Sequence, residues 1–267
     1  MTKCQVFIVF VFSAFVLSPV PSSNAQKSER TKVAEGEYRV TMEGDLGVGP
    51  IQKEIFSFSE TWTLWRTAAG FDVEGHRTYE SPRNKLHDDR FIAKLTPDLQ
   101  LLSINEFAHL AYRRDSGPLS CELQTRVLRC DSGAKDPAQR VDVKVAMDRP
   151  YCVLWPLSAF SLASLTRAAS TLEQPTVVQL VQFEQISERL PVLAIRSDGL
   201  LRYEGQSEVT LTVSGKSWHP KVYHLAAAPI GDMEIWTSQR GLLLAAQKPG
   251  WPGGRMELVK FEQFADF

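Results

Sequence analysis

Glu208–Ala228 (EVTLTVSGKSWHPKVYHLAAA), Gly231–Gln247 (GDMEIWTSQRGLLLAAQ) and Arg255–Phe264 (RMELVKFEQF) follow one another with little between them. Each piece alternates apolar and polar residues or runs apolar for a short span, the pattern of a half-buried or fully buried strand. The junctions carry turn chemistry. Ser214-Gly215-Lys216-Ser217 places glycine first of two central residues, as a type II′ hairpin requires. Ser238-Gln239-Arg240-Gly241 suits a type I turn closing on a left-handed glycine. The stretch reads as a meandering antiparallel sheet.

The chain before it reads the same way. Glu37–Glu43 alternates Tyr38, Val40 and Met42 with polar neighbours, and Ile51–Arg66 carries Phe56, Phe58, Trp62 and Leu64 on one parity. Phe71–Ser81 returns with Phe71, Val73 and Tyr79 on one face, and Val141, Val143, Val145 and Met147 alternate strictly. Ser197-Asp198-Gly199-Leu200 reads as an Asp-Gly hairpin, the strongest short-range β signal in the chain. The exception is Pro156–Ala169, where proline suits the first helical position and Leu157, Phe160, Ala163 and Ala168 fit one helical face. The expected fold is mainly β: one highly curved antiparallel sheet, an open or unclosed β-barrel, with one helix packed against its concave side. A closed ligand-binding barrel and a two-sheet sandwich are the alternatives.

Residues 1–25 read as a signal peptide: Lys3, an apolar run from Val6 to Leu17, and small residues Ser23-Asn24-Ala25 before Gln26. The run is shorter than the roughly 20 residues of a spanning helix, so no transmembrane segment is expected after cleavage. Residues 26–34 read as a flexible lead-in and 35–267 as a single β domain. Periplasmic or secreted localisation follows. The net charge of −1 offers no electrostatic reason to expect nucleic acid as a partner.

Export places Cys121, Cys130 and Cys152 in an oxidising compartment. A turn centred on Thr125-Arg126 pairs Gln124 with Val127, Leu123 with Leu128, Glu122 with Arg129 and Cys121 with Cys130, every pair matched in character. The cysteines then fall at a non-hydrogen-bonded position, close enough to form a disulfide. Cys152 is left as a buried thiol.

Motifs for catalysis are missing. The Gly215-Lys216-Ser217 tail of a phosphate loop lacks its opening glycine, since Thr210 stands there. His76, His87, His109, His219 and His224 show no metal-ligand spacing, and no nucleophile elbow occurs. Glu54 and Glu60 share strand parity, which leaves a carboxylate-dependent hydrolase as an outside reading. No catalytic residue, metal site or cofactor is assigned. The aromatics suggest instead an apolar concavity. Phe56, Phe58, Trp62, Trp155, Phe160 and Trp236 are its candidate lining, chosen on size and parity.

Arg202-Tyr203-Glu204-Gly205, the hairpin through Trp218, Met233-Glu234-Ile235-Trp236 and Gln239-Arg240-Gly241-Leu242-Leu243 resemble the C-terminal half of uncharacterised bacterial periplasmic proteins. A looser echo lies in Glu37-Tyr38-Arg39-Val40. Those proteins resemble in turn the periplasmic lipoprotein carriers. The resemblance covers roughly the last 70 residues and implies an unclosed barrel plugged by helices, with an apolar face for acyl chains or glycolipid. It carries no functional residue over. The expectation is a non-enzymatic envelope protein whose partner is a lipid or lipoprotein. A structural β module that pairs with another envelope protein is the alternative.

Overall fold

The computed structural model describes residues 30–44, 54–80, 87–107, 119–131, 141–146, 149–153, 159–169, 174–184, 193–227, 231–248 and 254–266. Strands β1 (Thr31–Gly44), β2 (Glu54–Thr67), β3 (Gly70–Glu80), β4 (His87–Leu95), β5 (Leu101–Phe107), β6 (Leu119–Gln124), β7 (Val127–Asp131), β8 (Val141–Lys144) and β9 (Tyr151–Val153) precede helix α1 (Ala159–Ala169). After it come β10 (Thr176–Glu184), β11 (Leu193–Gln206), β12 (Leu211–Val213), β13 (Lys216–Trp218), β14 (Lys221–Ala226), β15 (Met233–Thr237), β16 (Leu243–Gln247) and β17 (Arg255–Gln263).

Fifteen strands form one curved sheet, ordered β8-β7-β6-β5-β4-β3-β2-β1-β17-β16-β15-β14-β11-β10-β9, and β12 with β13 stands apart as a hairpin. The ladder is antiparallel except where β9 runs parallel to β10. The sheet curls without closing. Its two edges, β8 and β9, are consecutive in the chain, and side chains cross the seam between them. Arg196 Nη1 on β11 donates to the Lys144 carbonyl at 3.1 Å, and the Ala146 amide donates to Gln179 Oε1 on β10 at 2.8 Å.

The helix lies against β9, β11, β15 and β16. Leu162, Ala163, Ser164, Leu165 and Thr166 are all buried, and five consecutive buried residues cover the whole circumference of a helix. It is therefore enclosed by its surroundings, where the sequence indicated packing through one face. The Thr166 hydroxyl satisfies itself on the Ala163 carbonyl at 3.1 Å.

Local chemistry sets several details. The Cys121–Cys130 disulfide forms, with Leu123 opposite Leu128 and Glu122 opposite Arg129 as the matched pairing required. By the chain-entropy model, a crosslink around so short a loop stabilises by about 2–3 kcal/mol. The Cys121→Ser/Cys130→Ser double variant is expected to lose that amount in urea unfolding. Gly241 closes its turn at φ 82°, its amide donating to the Ser238 carbonyl at 3.0 Å.

Three expectations are corrected. The β12–β13 turn has Ser214 at φ 50° and Gly215 at φ 76°, so glycine is second and the turn is type I′, not II′. The Phe261 amide donates to Ser214 Oγ at 2.9 Å, which holds the serine in its left-handed conformation. Asp198-Gly199 is no hairpin, because β11 runs straight through it, with Asp198 opposite Gln179 and Gly199 opposite Val178. A Cβ on Gly199 would come within 3.0 Å of Leu225 and 3.2 Å of Leu180, so the glycine serves close packing inside a strand. Finally, β1 begins at Thr31, inside the stretch read as a lead-in, and buries Val33 and Ala34 there. A bulge between Lys32 and Ala34 had disguised the alternation.

Candidate functional site

The interior is lined by one face of each strand. On β2 that face carries Phe58, Glu60, Trp62 and Leu64, and on β3 it carries Phe71, Val73, Gly75 and Arg77. Cross-strand pairing assembles these into rows. One row runs Phe261–Gly36–Trp62–Gly75–Phe91 across β17, β1, β2, β3 and β4. Aromatic rings alternate with glycines, and two of them, Trp62 and Phe91, lie over a neighbouring glycine. A Cβ on Gly36 would meet the Trp62 ring at 2.6 Å, and one on Gly75 would meet the Phe91 ring at 2.0 Å. Rings laid over glycines are the device by which a sheet bends sharply without leaving a void. Trp62 also stacks on Tyr38 at 6.1 Å and lies 6.3 Å from Phe261, which meets Trp218 of the hairpin edge-on.

The adjacent row, Leu258–Tyr38–Glu60–Arg77, is polar at its centre. Arg77 Nε donates to Glu60 Oε2 at 2.6 Å, and both side chains are 1% exposed. The guanidinium also lies over the Phe91 ring at 5.1 Å. Glu60 Oε1 is buried with no hydrogen-bond partner among the described residues. Tyr38 does not supply one, since its hydroxyl donates past β17 to the Leu243 carbonyl of β16 at 2.9 Å. This corrects the reading of Glu60 as half of a solvated or hydrolytic carboxylate pair: it is an interior residue facing an arginine.

Burial, and secondarily the Glu60 charge, hold the Tyr38 hydroxyl well above its ordinary pKa. Tyr151, whose hydroxyl donates to the Leu101 carbonyl, is raised chiefly by burial. Tyr223 is also raised by burial and by Tyr203, against a lowering hydrogen bond from Thr237. An unfolded tyrosine ionises near pH 10, whereas burial holds these protonated to higher pH in the fold. Above pH ~10 the unfolded state therefore binds fewer protons, and stability falls as pH rises. The expected loss is about 1.4 kcal/mol per pH unit for each tyrosine that stays protonated, fully retained below pH ~10. Urea unfolding at stepped pH checks it, with the tyrosinate absorbance of these three tyrosines appearing only as the protein unfolds.

The structure places the candidate lining residues unevenly. Phe58 packs on the core and Trp62 is buried in it. Trp236 is a correction: it alternates with buried Met233, Ile235 and Thr237 in the opposite sense and lies on the outer face, with Arg255 over its ring at 5.7 Å. Trp155 and the side chains of Phe56 and Phe160 lie outside the described residues. Sequence reasoning missed Arg77 and named Glu60 only beside Glu54. The signal was present, since each shares the parity of its strand's apolar residues.

Two open grooves mark the outside. One of about 830 Å³ crosses β17, β1, β2 and β3 past Thr61, Thr63 and His76. Its acids Glu37 and Glu74 pair with Lys260 and Arg30. The other, of about 870 Å³, lies between the hairpin and the C-terminal segment, beside Trp218, His219 and Phe264. Among the described residues no group of three or more His, Cys, Asp or Glu could hold a metal ion.

No family model matches the sequence, and no curated protein does. Among solved structures, the chain is similar to a β-barrel-like protein of a domain of unknown function, DUF1849, from Brucella abortus. The TM-score is 0.53 at 11% identity, over 88% of this chain and 99% of that one. A DUF1089 family protein from Pseudomonas aeruginosa aligns with a TM-score of 0.42 at 13% identity, over 78% of this chain and 95% of that one. The first likeness shows the fold: an unclosed β-barrel-like sheet.

Proposed function

We propose that this chain is an exported envelope protein that takes an apolar ligand, a lipid or the acyl chain of a lipoprotein, inside its unclosed barrel. The observation that carries the reading is an aromatic interior wall, Phe58, Trp62, Tyr38 and Phe91, behind a seam that side-chain bonds span without a ladder. A wall with one weakly joined edge can part without breaking a strand pairing. The lipoprotein-carrier resemblance supports the same reading, and the Cys121–Cys130 disulfide fits an oxidising compartment. The test is direct: lipid extraction and mass spectrometry of natively purified protein, followed by titration with a neutral fluorescent probe, N-phenyl-1-naphthylamine. Bound lipid, and probe uptake that weakens in Trp62→Ala, are expected. Protein free of lipid that leaves the probe dark sinks the reading.

A second reading, a β module that docks a protein partner, draws support from Val177 and Leu200. They pair across β10 and β11 and are 45% and 44% exposed. Co-purification of a partner that is lost in Val177→Ser/Leu200→Ser would favour it.

A further inference from the structure

β17 is flanked on both sides for only part of its length. β1 pairs with it from Arg255 to Gln263, whereas β16 pairs with it from Arg255 to Glu257 and no further among the described residues. Beyond Glu257 the other neighbour is the β12–β13 hairpin, which joins no ladder of the large sheet. In an antiparallel pair, successive residues turn their peptide groups alternately toward the partner and away from it. The Phe264 amide donates to the Val33 carbonyl of β1 at 2.8 Å, which puts Gln263 and Phe261 in the set that faces away. The Phe261 amide agrees, because it donates to Ser214 Oγ of the hairpin at 2.9 Å. That bond leaves the Phe261 carbonyl and the amide and carbonyl of Gln263 without a hydrogen-bond partner among the described residues. Gln263 is exposed, so this flank of β17 is an open strand edge.

The edge borders the groove of about 870 Å³, which Phe261 and Gln263 line together with Lys216 and Trp218 of the hairpin. Trp218, edge-on to Phe261, and buried Leu242 give the groove apolar surface. Its charges do not balance. Arg240 pairs with Asp266 at 2.7 Å, while Lys216 is exposed and has no carboxylate partner among the described residues. We propose that this groove takes an extended peptide segment of a protein partner, added as a strand to the open edge of β17 and carrying an acidic residue for Lys216. The edge offers an acceptor, a donor and an acceptor in order along one strand. A sugar hydroxyl can meet one of these groups, whereas the main chain of an extended peptide meets all three in register. Apolar side chains at alternate positions of the incoming strand would lie against Trp218 and Leu242. The site is outside the barrel interior and stands whether or not the interior takes a ligand.

The experiment titrates the full chain with end-blocked, fluorescein-labelled octapeptides and reads fluorescence polarisation. One panel alternates aspartate with valine, leucine or phenylalanine, and a second carries lysine for aspartate. Saturable binding of an acidic peptide is expected, with its lysine counterpart about fivefold weaker or more. The best acidic peptide is then N-methylated at every second residue, in either phase, which strips the donors from one of its edges at a time. One phase should abolish binding and the other should spare it. Gln263→Pro removes the amide donor from the open edge and leaves the bonds to β1 in place, a substitution that an edge tolerates, and it should weaken binding about tenfold. Lys216→Glu should weaken the acidic peptides about fivefold and leave the lysine peptides no weaker. Binding by no acidic peptide, equal effects of the two N-methylated phases, or unchanged affinity in Gln263→Pro overturns strand addition at this edge. Lysine peptides that bind as tightly as acidic ones overturn the acidic assignment. Should Gln263→Pro fail to fold, the two N-methylated peptides on the unmodified protein decide by themselves.

Discussion

Arg77→Met is expected to destabilise the protein by about 3–5 kcal/mol. The reason lies in what the substitution leaves behind. Glu60 is 1% exposed and takes its one described hydrogen bond from Arg77, so removing the guanidinium strands a carboxylate in an apolar interior. The carboxylate must then bind a proton or draw in water. The same logic makes Glu60→Met/Arg77→Met far milder, neutral or slightly stabilising, because neither charge is then stripped of water. Chemical unfolding of the two variants beside the parent separates the cases. Equal losses in the single and paired variants would show that Arg77 matters for packing over Phe91 and not for its charge.

Gly75→Ala is expected to cost 3 kcal/mol or about that, at the upper end of overpacking effects. An added Cβ would stand 2.0 Å from the Phe91 ring, far inside van der Waals contact, and Phe91 is itself buried. The ring cannot swing away freely, since Arg77 lies over it. Gly75→Ala combined with Phe91→Leu should therefore recover stability relative to Gly75→Ala alone, a coupling that thermal unfolding of the double-mutant cycle reads directly. Gly36→Ala is the companion case. It meets the Trp62 ring at 2.6 Å and the Lys260 carbonyl at 2.8 Å, and the backbone oxygen cannot be relieved by trimming a side chain.

Much of the fold was legible because much of its specification is local. The disulfide hairpin followed from matched pairs a few residues apart, and the Gly241 turn from one left-handed glycine. What escaped was set by distant partners. Asp198-Gly199 carries hairpin chemistry, yet Leu180 and Leu225 crowd that glycine and the strand continues. Ser214 adopts the left-handed region because the Phe261 amide reaches its hydroxyl, a bond between residues far apart in the chain. The candidate site shows the same division in another form. Trp62 and Trp236 were both chosen on size and parity; Trp62 is buried in the core, whereas the alternation of Trp236 with Met233 and Ile235 puts it outside. Glu60 and Arg77 shared the parity of apolar neighbours all along. Polarity was allowed to outvote pattern there, when a charged residue on an apolar parity is the more informative observation.

The order of strands has a consequence for how the chain reaches its final state. β1, made first, lies between β2 and β17, so one of its two flanks waits for the last strand of the sheet. The described ends, meanwhile, are neighbours: the Phe264 amide donates to the Val33 carbonyl at 2.8 Å. Joining those ends and cutting the backbone between Lys144 and Tyr151 would yield a permuted polypeptide whose strands are read off the sheet in sequence, β9 first and β8 last. The most remote pairing would become a nearest-neighbour one, mean sequence separation would drop, and loop-closure entropy would no longer delay the final zip. Such a rearranged protein should refold faster than its parent at similar stability, and any sluggishness left in the parent would belong to the join between its first strand and its last.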